Sequence, residues 1–243
     1  MSTLETKKIE PLSGTSVTLG AAGDAVTMPA GVTVKTNTVK DAGGNTIWTS
    51  DGSGTVSSVN SALQGNMVFI SSQTASSSSS IEFTSGIDST YDEYVFYFVN
   101  INPATDGQQF EFNASDDASS WSYNIVKTTT VFNAWESEAN NTEGLSYEAG
   151  HDLVGSTAYQ RIMSNMSNDA DEAGSGILHL FAPSSTTYVK NFYLRTVSNH
   201  YQGRETDYFV AGYFNTTAAI TALEFQMTSG NINEGTIYLY GIK

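Results

Sequence analysis

The sequence predicts an all-β protein in two parts. Residues 1–65 are expected to form a short β-helical or β-prism stalk or attachment segment, and residues 66–243 a jelly-roll-like β-sandwich domain. Short runs of alternating apolar residues favour strands, and no window shows sustained helical periodicity with capping residues. A change of composition near Gly65 separates the two parts.

The two parts differ in aromatic content and in charge. Residues 1–65 hold nine of the 21 glycines and a single aromatic residue, Trp48, with five acidic and four basic side chains. Residues 66–243 hold every other aromatic residue, with twenty acidic and six basic side chains, and so carry almost all of the net charge of −15. The chain therefore joins two different kinds of sequence.

The first part is built from apolar–Thr–apolar triplets. Val17–Leu19, Val26–Met28 and Val32–Val34 repeat this pattern between glycines and Pro29, which predicts very short strands joined by tight turns. Only sixteen of these 65 residues are Leu, Ile, Val, Met or Trp. Because so few large apolar side chains cannot offset the entropy of ordering the segment, we expect neighbouring chains or a larger particle to order it.

The second part contains about eight predicted strands. Clean alternation in Leu223–Met227 and Ile237–Ile242 predicts strands with one buried face. Tyr94–Val99 is apolar on both faces, which predicts a strand covered on both sides by the fold or by another subunit. The other predicted strands are Phe110–Phe112, Tyr123–Val126, Ile177–Phe181, Tyr188–Val197 and Tyr208–Phe214. This number of strands fits a sandwich or jelly roll.

Two segments of the second part are expected to depart from the strand pattern. Tyr159–Met166 is the best helix candidate in the sequence. Ser71–Ser80 is a serine-rich, low-complexity stretch and is expected to be a surface loop or hinge.

Composition excludes several classes of function. A net charge of −15 argues against nucleic acid as a partner, since such binding depends on Lys and Arg at the phosphates. The absence of cysteine excludes disulfides, thiolate metal sites and a Cys nucleophile. No apolar run approaches the ~18 residues that cross a bilayer, so no membrane insertion is expected. The sequence contains no cofactor-binding motif, so we expect no cofactor to bind.

A search for catalytic and metal-binding groups leaves weak candidates. His151 precedes Asp152, which could orient its imidazole, whereas His179 fits a hydrogen-bonded histidine within a strand. Acidic loops at Asp116–Asp117 and Asp169–Glu172 offer the oxygen ligands of Ca²⁺, but neither has an EF-hand pattern, and such loops also keep β-proteins soluble. Paired-acid glycosidase chemistry stays open, although nothing singles out one pair.

Aromatic side chains near amides and carboxylates suggest a glycan contact. Flat rings stack on sugars while polar groups bond the hydroxyls. The alternative is that these rings fill the core or a subunit interface. The candidate contact residues are Trp121, Tyr123, Trp135, Tyr147, His200 and Tyr201, with Tyr208 as a further ring and His200 expected on a loop.

Several stretches resemble structural and tail-fibre proteins of marine tailed bacteriophages. Residues 14–31 are similar to the "LGASGDTVTIPSG" segment that recurs in those proteins. Four stretches resemble their C-terminal domain: Ile81–Tyr94, Leu178–Lys190, Ala211–Ile220 and Ser229–Lys243. The resemblance implies a virion protein, commonly homotrimeric, that is assembled in the bacterial cytoplasm, and it brings no catalytic residues.

These observations lead to one expected function and two alternatives. The first is a non-enzymatic tail fibre or related appendage, attached to other virion proteins through residues 1–65 and contacting host-surface glycan with residues 66–243. The second is a capsid decoration or head-fibre protein, anchored to the shell by residues 1–65. The third is a polysaccharide-cleaving spike enzyme.

Overall fold

The computed structural model describes residues 35–53, 56–59 and 65–243. They divide between two compact units, one within residues 1–63 and the other within residues 64–243. Every regular element in the described residues is a β-strand, which confirms the all-β prediction. None of these residues belongs to a helix long and apolar enough to cross a membrane.

The first unit contains a three-stranded antiparallel sheet. Its strands are β1 (Thr38–Lys40), β2 (Thr46–Ser50) and β3 (Val56–Val59), in the order β1-β2-β3. At the β1–β2 turn, Asp41 Oδ1 accepts the backbone N–H of Asn45 at 2.8 Å. The predicted triplet strands between residues 17 and 34 lie outside the described residues.

Twelve antiparallel strands form one large, nearly closed sheet in the second unit. They are β4 (Met67–Thr74), β5 (Ser80–Phe83), β6 (Glu93–Pro103), β7 (Gln108–Ser115), β8 (Lys127–Ser137), β9 (Glu143–Tyr147), β10 (Gln160–Met166), β11 (Gly174–Phe181), β12 (Lys190–His200), β13 (Arg204–Phe214), β14 (Ala222–Met227) and β15 (Ile232–Ile242). Seven of the eight strands predicted from the sequence correspond to strands of this sheet.

The large sheet has two arms. Eight strands pair in the order β4-β15-β6-β11-β12-β13-β8-β9, here called the long arm, and four in the order β10-β7-β14-β5, the short arm. The arms join where β10 pairs with β12 through Met166 and His200. Phenylalanine rings fill the space between the arms: Phe225 lies 5.5 Å from Phe96, and Phe112 lies 5.3 Å from Phe192, measured between ring centroids. An aromatic layer therefore forms the core.

The clearest sequence patterns became strands as predicted. Leu223–Met227 lies in β14 and Ile237–Ile242 in β15. Tyr94–Val99 lies in β6, where Tyr94, Phe96 and Phe98 are buried in the core. The opposite face of β6 is only partly covered, because Val95 is buried whereas Val99 is 40% exposed.

The helix predicted at Tyr159–Met166 is wrong, because residues 160–166 form strand β10. The register of β10 against β7 shifts twice, between Arg161 and Met163 and between Met163 and Met166. A β-bulge adds a residue to one strand and breaks strict alternation. Ile162 and Met163 are consequently both buried, and together with Met166 they mimic the spacing of a helix.

Two other local predictions are also wrong. Tyr123–Val126 is irregular rather than a strand; Ile125 is buried, and the side chain of Asn113 donates to the Tyr123 carbonyl at 2.7 Å in place of a ladder bond. Half of Ser71–Ser80 is strand, since Ser71–Thr74 pairs with β15 and Ser80 begins β5. Pairing uses the backbone, so a polar sequence is tolerated on an edge strand.

Candidate functional site

A cavity of about 190 Å³ lies beside the point where the two arms join. We call it the corner cavity. Strands β8, β10, β12 and β13 and the segment after β9 supply its walls. The lining residues are Asn133, Trp135, Glu148, His151, Ser164, Asn165, His200, Arg204, Thr206 and Tyr208.

Strand alternation brings one wall of the cavity together. Arg204, Thr206 and Tyr208 are alternate residues of β13, so their side chains share one face of the sheet. Register then sets Trp135 of β8 opposite Thr206, and His200 of β12 opposite Arg204. Residues from three strands thereby meet without a loop to position them.

Gly144 shapes the position of the Trp135 indole. The two residues pair directly between β8 and β9. A Cβ atom at Gly144 would overlap the indole ring, so the ring lies over the glycine. Packing of an aromatic ring on a cross-strand glycine is a known device for holding that ring in a sheet.

His200 ends β12 and is buried, with 5% of its surface exposed. Its Nδ1 lies 3.1 Å from the backbone nitrogen of Gln202, and its Nε2 lies 3.1 Å from Arg204 Nη2. Burial, together with the Arg204 charge, lowers the pKa of His200 to about 4, so the ring is neutral at pH 7. The expectation that His200 lies on a loop is wrong, because pairing with Arg204 and Met166 holds it in the sheet.

Arg204 and Thr206 each carry a buried polar atom that lacks a hydrogen-bond partner among the described residues. Arg204 Nη2 donates to Gln202 Oε1 at 2.9 Å, but buried Arg204 Nε makes no hydrogen bond within the described residues. The same holds for Thr206 Oγ1, although Thr206 is only 3% exposed. The ion pairs between described residues do not include Arg204.

A second group of contacts in the cavity lining involves Tyr208, His151 and Glu148. The hydroxyl of Tyr208 hydrogen-bonds His151 Nδ1, and burial lowers the pKa of His151 and raises that of Tyr208 to about 12. Glu148 accepts a hydrogen bond from the Ser146 hydroxyl. Asp152 does not orient His151, because the Asp152 carboxylate instead accepts a hydrogen bond from the hydroxyl of Tyr147 at 2.7 Å.

The structure brings together half of the residues predicted to contact glycan. Trp135 and His200 line the cavity, and the exposed ring of Tyr201 stacks on His200 at a centroid distance of 4.8 Å. The other three lie outside the lining: Tyr147 ends β9, Trp121 lies in the irregular segment before β8, and Tyr123 donates to Glu82 at 3.0 Å. Tyr208 also lines the cavity.

Sequence reasoning missed Arg204, Thr206, Asn133 and Glu148. The signal available for the first two was the alternation Arg204-x-Thr206-x-Tyr208 directly after the Gly203 turn. Asn133 and Glu148 carried no such signal, because the pairing of β8 with β13 decides where they lie.

The other sequence candidates take structural roles in the described residues. His179 in β11 bonds Glu93 at 2.5 Å, which confirms a hydrogen-bonded strand histidine. The hydroxyl and backbone N–H of Ser119 bond Asp117 at 2.6 and 2.8 Å and hold the pKa of its carboxyl well below its usual range. No group of three or more His, Asp or Glu side chains in the described part of the chain is placed to hold a metal ion.

Comparison of the chain with protein-family models, with curated proteins and with solved structures finds no match.

Proposed function

We propose that this chain is a non-enzymatic structural protein of a bacteriophage virion. In this proposal it is a tail fibre or related appendage, a homotrimer that contacts host-surface glycan with residues 66–243. Residues 1–65 form the stalk and attach it to other virion proteins. The sequence resemblance described above motivates the virion role, and three features of the second unit support the rest.

The strand order supports a jelly-roll-like β-sandwich. When the β8–β9 and β12–β13 hairpins are set aside, eight strands remain in two groups, β4-β15-β6-β11 and β5-β14-β7-β10. In a jelly roll the first, eighth, third and sixth strands form one sheet, and the second, seventh, fourth and fifth form the other. The two groups follow this order, so the hairpins are insertions that widen one sheet. Jelly rolls are common in viral capsid proteins and in lectins.

The corner cavity is the observation that carries the glycan contact. It lies between the two inserted hairpins and β10, so the eight jelly-roll strands alone would not form it. Its wall combines the Trp135 ring with polar side chains such as Asn133, Glu148 and Arg204. An aromatic ring with convergent polar groups is the chemistry that recognises a sugar.

Exposed rings on the outer face of the long arm support assembly into a trimer. Phe132 and Tyr193 are 43% and 46% exposed, and each stacks on a neighbouring ring, Phe209 and His179 respectively, at 4.6 Å. Grouped apolar side chains on a surface mark sites of association. In the proposed trimer a second copy of the chain covers this face.

Glycan binding tests the proposed contact directly. The full chain is titrated with purified host-surface polysaccharide, and we expect binding that Trp135→Ala abolishes and Trp121→Ala leaves unchanged. Trp121 is the matched control because it lies outside the cavity lining. New reducing ends in the polysaccharide would overturn the non-enzymatic role and favour the spike enzyme.

Assembly and location are tested separately. We expect light scattering of the full chain to give the mass of three copies of 26.1 kDa, and a monomer would overturn the trimer. Gold-labelled antibody against the C-terminal domain should decorate virion tails. Label over the heads would replace the tail fibre by the capsid decoration protein, and unlabelled virions would overturn the virion role.

A further inference from the structure

Residues that line the corner cavity leave hydrogen-bond donors without acceptors. In the part of the chain that the structure describes, Arg204 Nε is a donor without a partner, and Thr206 Oγ1 makes no hydrogen bond. Both ring nitrogens of His200 face N–H donors, from Gln202 and from Arg204. A neutral imidazole has one acceptor nitrogen, so one of these two contacts leaves an N–H unmatched.

This imbalance indicates the chemistry of the missing partner. A buried donor without an acceptor is costly, and buried polar groups are almost always paired. Oxygen atoms that accept hydrogen bonds would pair the surplus donors. A hydroxyl group supplies one such oxygen and brings a donor with it, whereas a carboxylate supplies two acceptor oxygens and no donor.

Charge at the cavity points the same way. Arg204 takes part in no ion pair between described residues, and a hydrogen bond from a guanidinium to a carboxylate is roughly twice as strong as one between neutral groups. His200 adds no positive charge, because its pKa is about 4. The carboxylate of Glu148 also lines the cavity and can accept a hydrogen bond from a hydroxyl group. The cavity thus offers one site for an anion and one for a hydroxyl.

We propose that the corner cavity binds a hexuronate unit of a glycan, with its carboxylate at Arg204 and Thr206 and its ring against Trp135. This inference rests on the proposed glycan contact and names the class of sugar. A hydroxyl of the same unit donates to Glu148. At about 190 Å³ the cavity is smaller than the roughly 300 Å³ lower limit of sites for drug-sized ligands, which restricts the proposed occupant to one sugar unit.

Calorimetric titration of the full chain at pH 7 tests the proposal. The probes are a galacturonate oligomer and a galactose oligomer of the same length. We expect binding of the galacturonate oligomer at least about tenfold tighter than of the neutral one, since a charge-assisted pair is roughly twice as strong as a neutral bond. Added salt should weaken binding of the acidic oligomer selectively.

Two variants, with one control, test where the carboxylate of the sugar binds. Arg204→Gln should remove the preference for galacturonate, whereas Arg195→Gln should keep it. Arg195 is the matched control because it lies outside the lining of the cavity and already pairs with Asp207 at 2.6 Å. Thr206→Val should weaken galacturonate binding without lowering the melting temperature, because Thr206 Oγ1 has no partner to lose within the described residues. That combination separates binding from folding.

The outcomes distinguish this inference from the proposed function. If both oligomers bind equally well and Trp135→Ala abolishes the binding of both, the hexuronate proposal is overturned and the proposed glycan contact stands. Galacturonate binding that survives in Arg204→Gln and Thr206→Val would also overturn it. No binding of any glycan would overturn the proposed contact itself, and the cavity would then hold water alone.

Discussion

The aromatic core and the corner cavity are lined by the same long arm, yet they differ in chemistry. In the core, the rings of Phe96 and Phe98 of β6 lie 5.5 and 5.3 Å from the ring of Phe225 of β14, measured between centroids. In the cavity, Arg204 and Thr206 of β13 have buried polar atoms that find no hydrogen-bond partner among residues 35–53, 56–59 and 65–243. In both the core and the cavity, strand alternation directs these side chains to the inner face of the sheet. The element packed against that face determines whether the space is filled.

The aromatic core and the corner cavity occupy different parts of the same sheet. The strands that face the short arm bury rings and stabilise the domain. The inserted hairpins extend that sheet and place polar side chains around a cavity. Strands β10, β12 and β13 contribute to both the core and the cavity, but with different residues apart from Tyr208. Substitutions in the two regions should therefore have different consequences.

The largest expected effect is loss of stability on truncating the core. Phe225 is fully buried and contacts five other rings: Phe83, Phe96, Phe98, Phe110 and Phe112. Phe225→Ala should lower the free energy of unfolding by about 3–5 kcal/mol, measured by urea denaturation. Phe132→Ala, on the exposed outer face, is the control and should cost well under half as much. Similar losses in both variants would contradict the assignment of the core.

The next effect is a pH dependence from Lys127, a buried residue at the edge of the core. Its ammonium donates to the carbonyls of Ile125 and Ala158 at 3.1 and 2.6 Å, and lies 5.8 Å from the Phe214 ring. Burial lowers its pKa from 10.5 to about 7, while Glu111 partly opposes the shift. Between these values the unfolded chain binds the extra proton, so the free energy of unfolding should rise with pH above 7.

Lys127→Met measures this contribution. Urea denaturation at pH 7, 8 and 9 should show a slope in the parent chain of up to about 1.4 kcal/mol per pH unit beyond that of the variant. Equal slopes in the two proteins would contradict deprotonation of Lys127 in the folded state.

A matched pair of buried threonines gives a smaller effect. Thr196 and Thr206 are 1% and 3% exposed, but Thr196 Oγ1 donates to the Ile162 carbonyl whereas Thr206 Oγ1 has no partner within the described residues. Thr196→Val should cost about 1–2 kcal/mol, and Thr206→Val should be neutral or stabilising. Equal costs in thermal denaturation would show that Thr206 is satisfied after all.

The smallest effect concerns the orientation of Trp135. Gly144→Ala places a methyl group against the indole and should shift tryptophan fluorescence and weaken glycan binding several-fold, with little change in stability. Gly150→Ala is the control, since a Cβ there meets nothing within 4 Å. Unchanged fluorescence and binding in Gly144→Ala would show that Gly144 does not position the ring.

The fold was predictable where side-chain alternation was regular. Leu223–Met227 and Ile237–Ile242 became β14 and β15 because one face of each is buried. Prediction failed at Tyr159–Met166, where two bulges against β7 put neighbouring residues on the core side. It also failed at Ser71–Thr74, since backbone pairing with β15 demands no particular side chain.

The candidate site was predictable only in part, for a similar reason. Trp135 and His200 were recognised by residue type, but Arg204 and Thr206 have meaning only once β13 pairs with β8 and β12. Trp121 and Tyr123 look equally suited in sequence, yet they lie outside the cavity lining. A ring beside an amide marks a candidate, and long-range pairing decides which candidates meet.

The amino-acid sequence alone determined the all-β class, the concentration of aromatic residues and acidic charge after residue 65, and the inward face of each regular strand. These are local properties, set by the two-residue repeat of a strand and by composition. Tertiary structure decided which strands became neighbours, and so brought Trp135, His200 and Arg204 from three strands to one cavity. Alternation chooses the face that a side chain occupies, but only the strand or loop packed opposite decides whether that face is buried in a filled core or lines an open site.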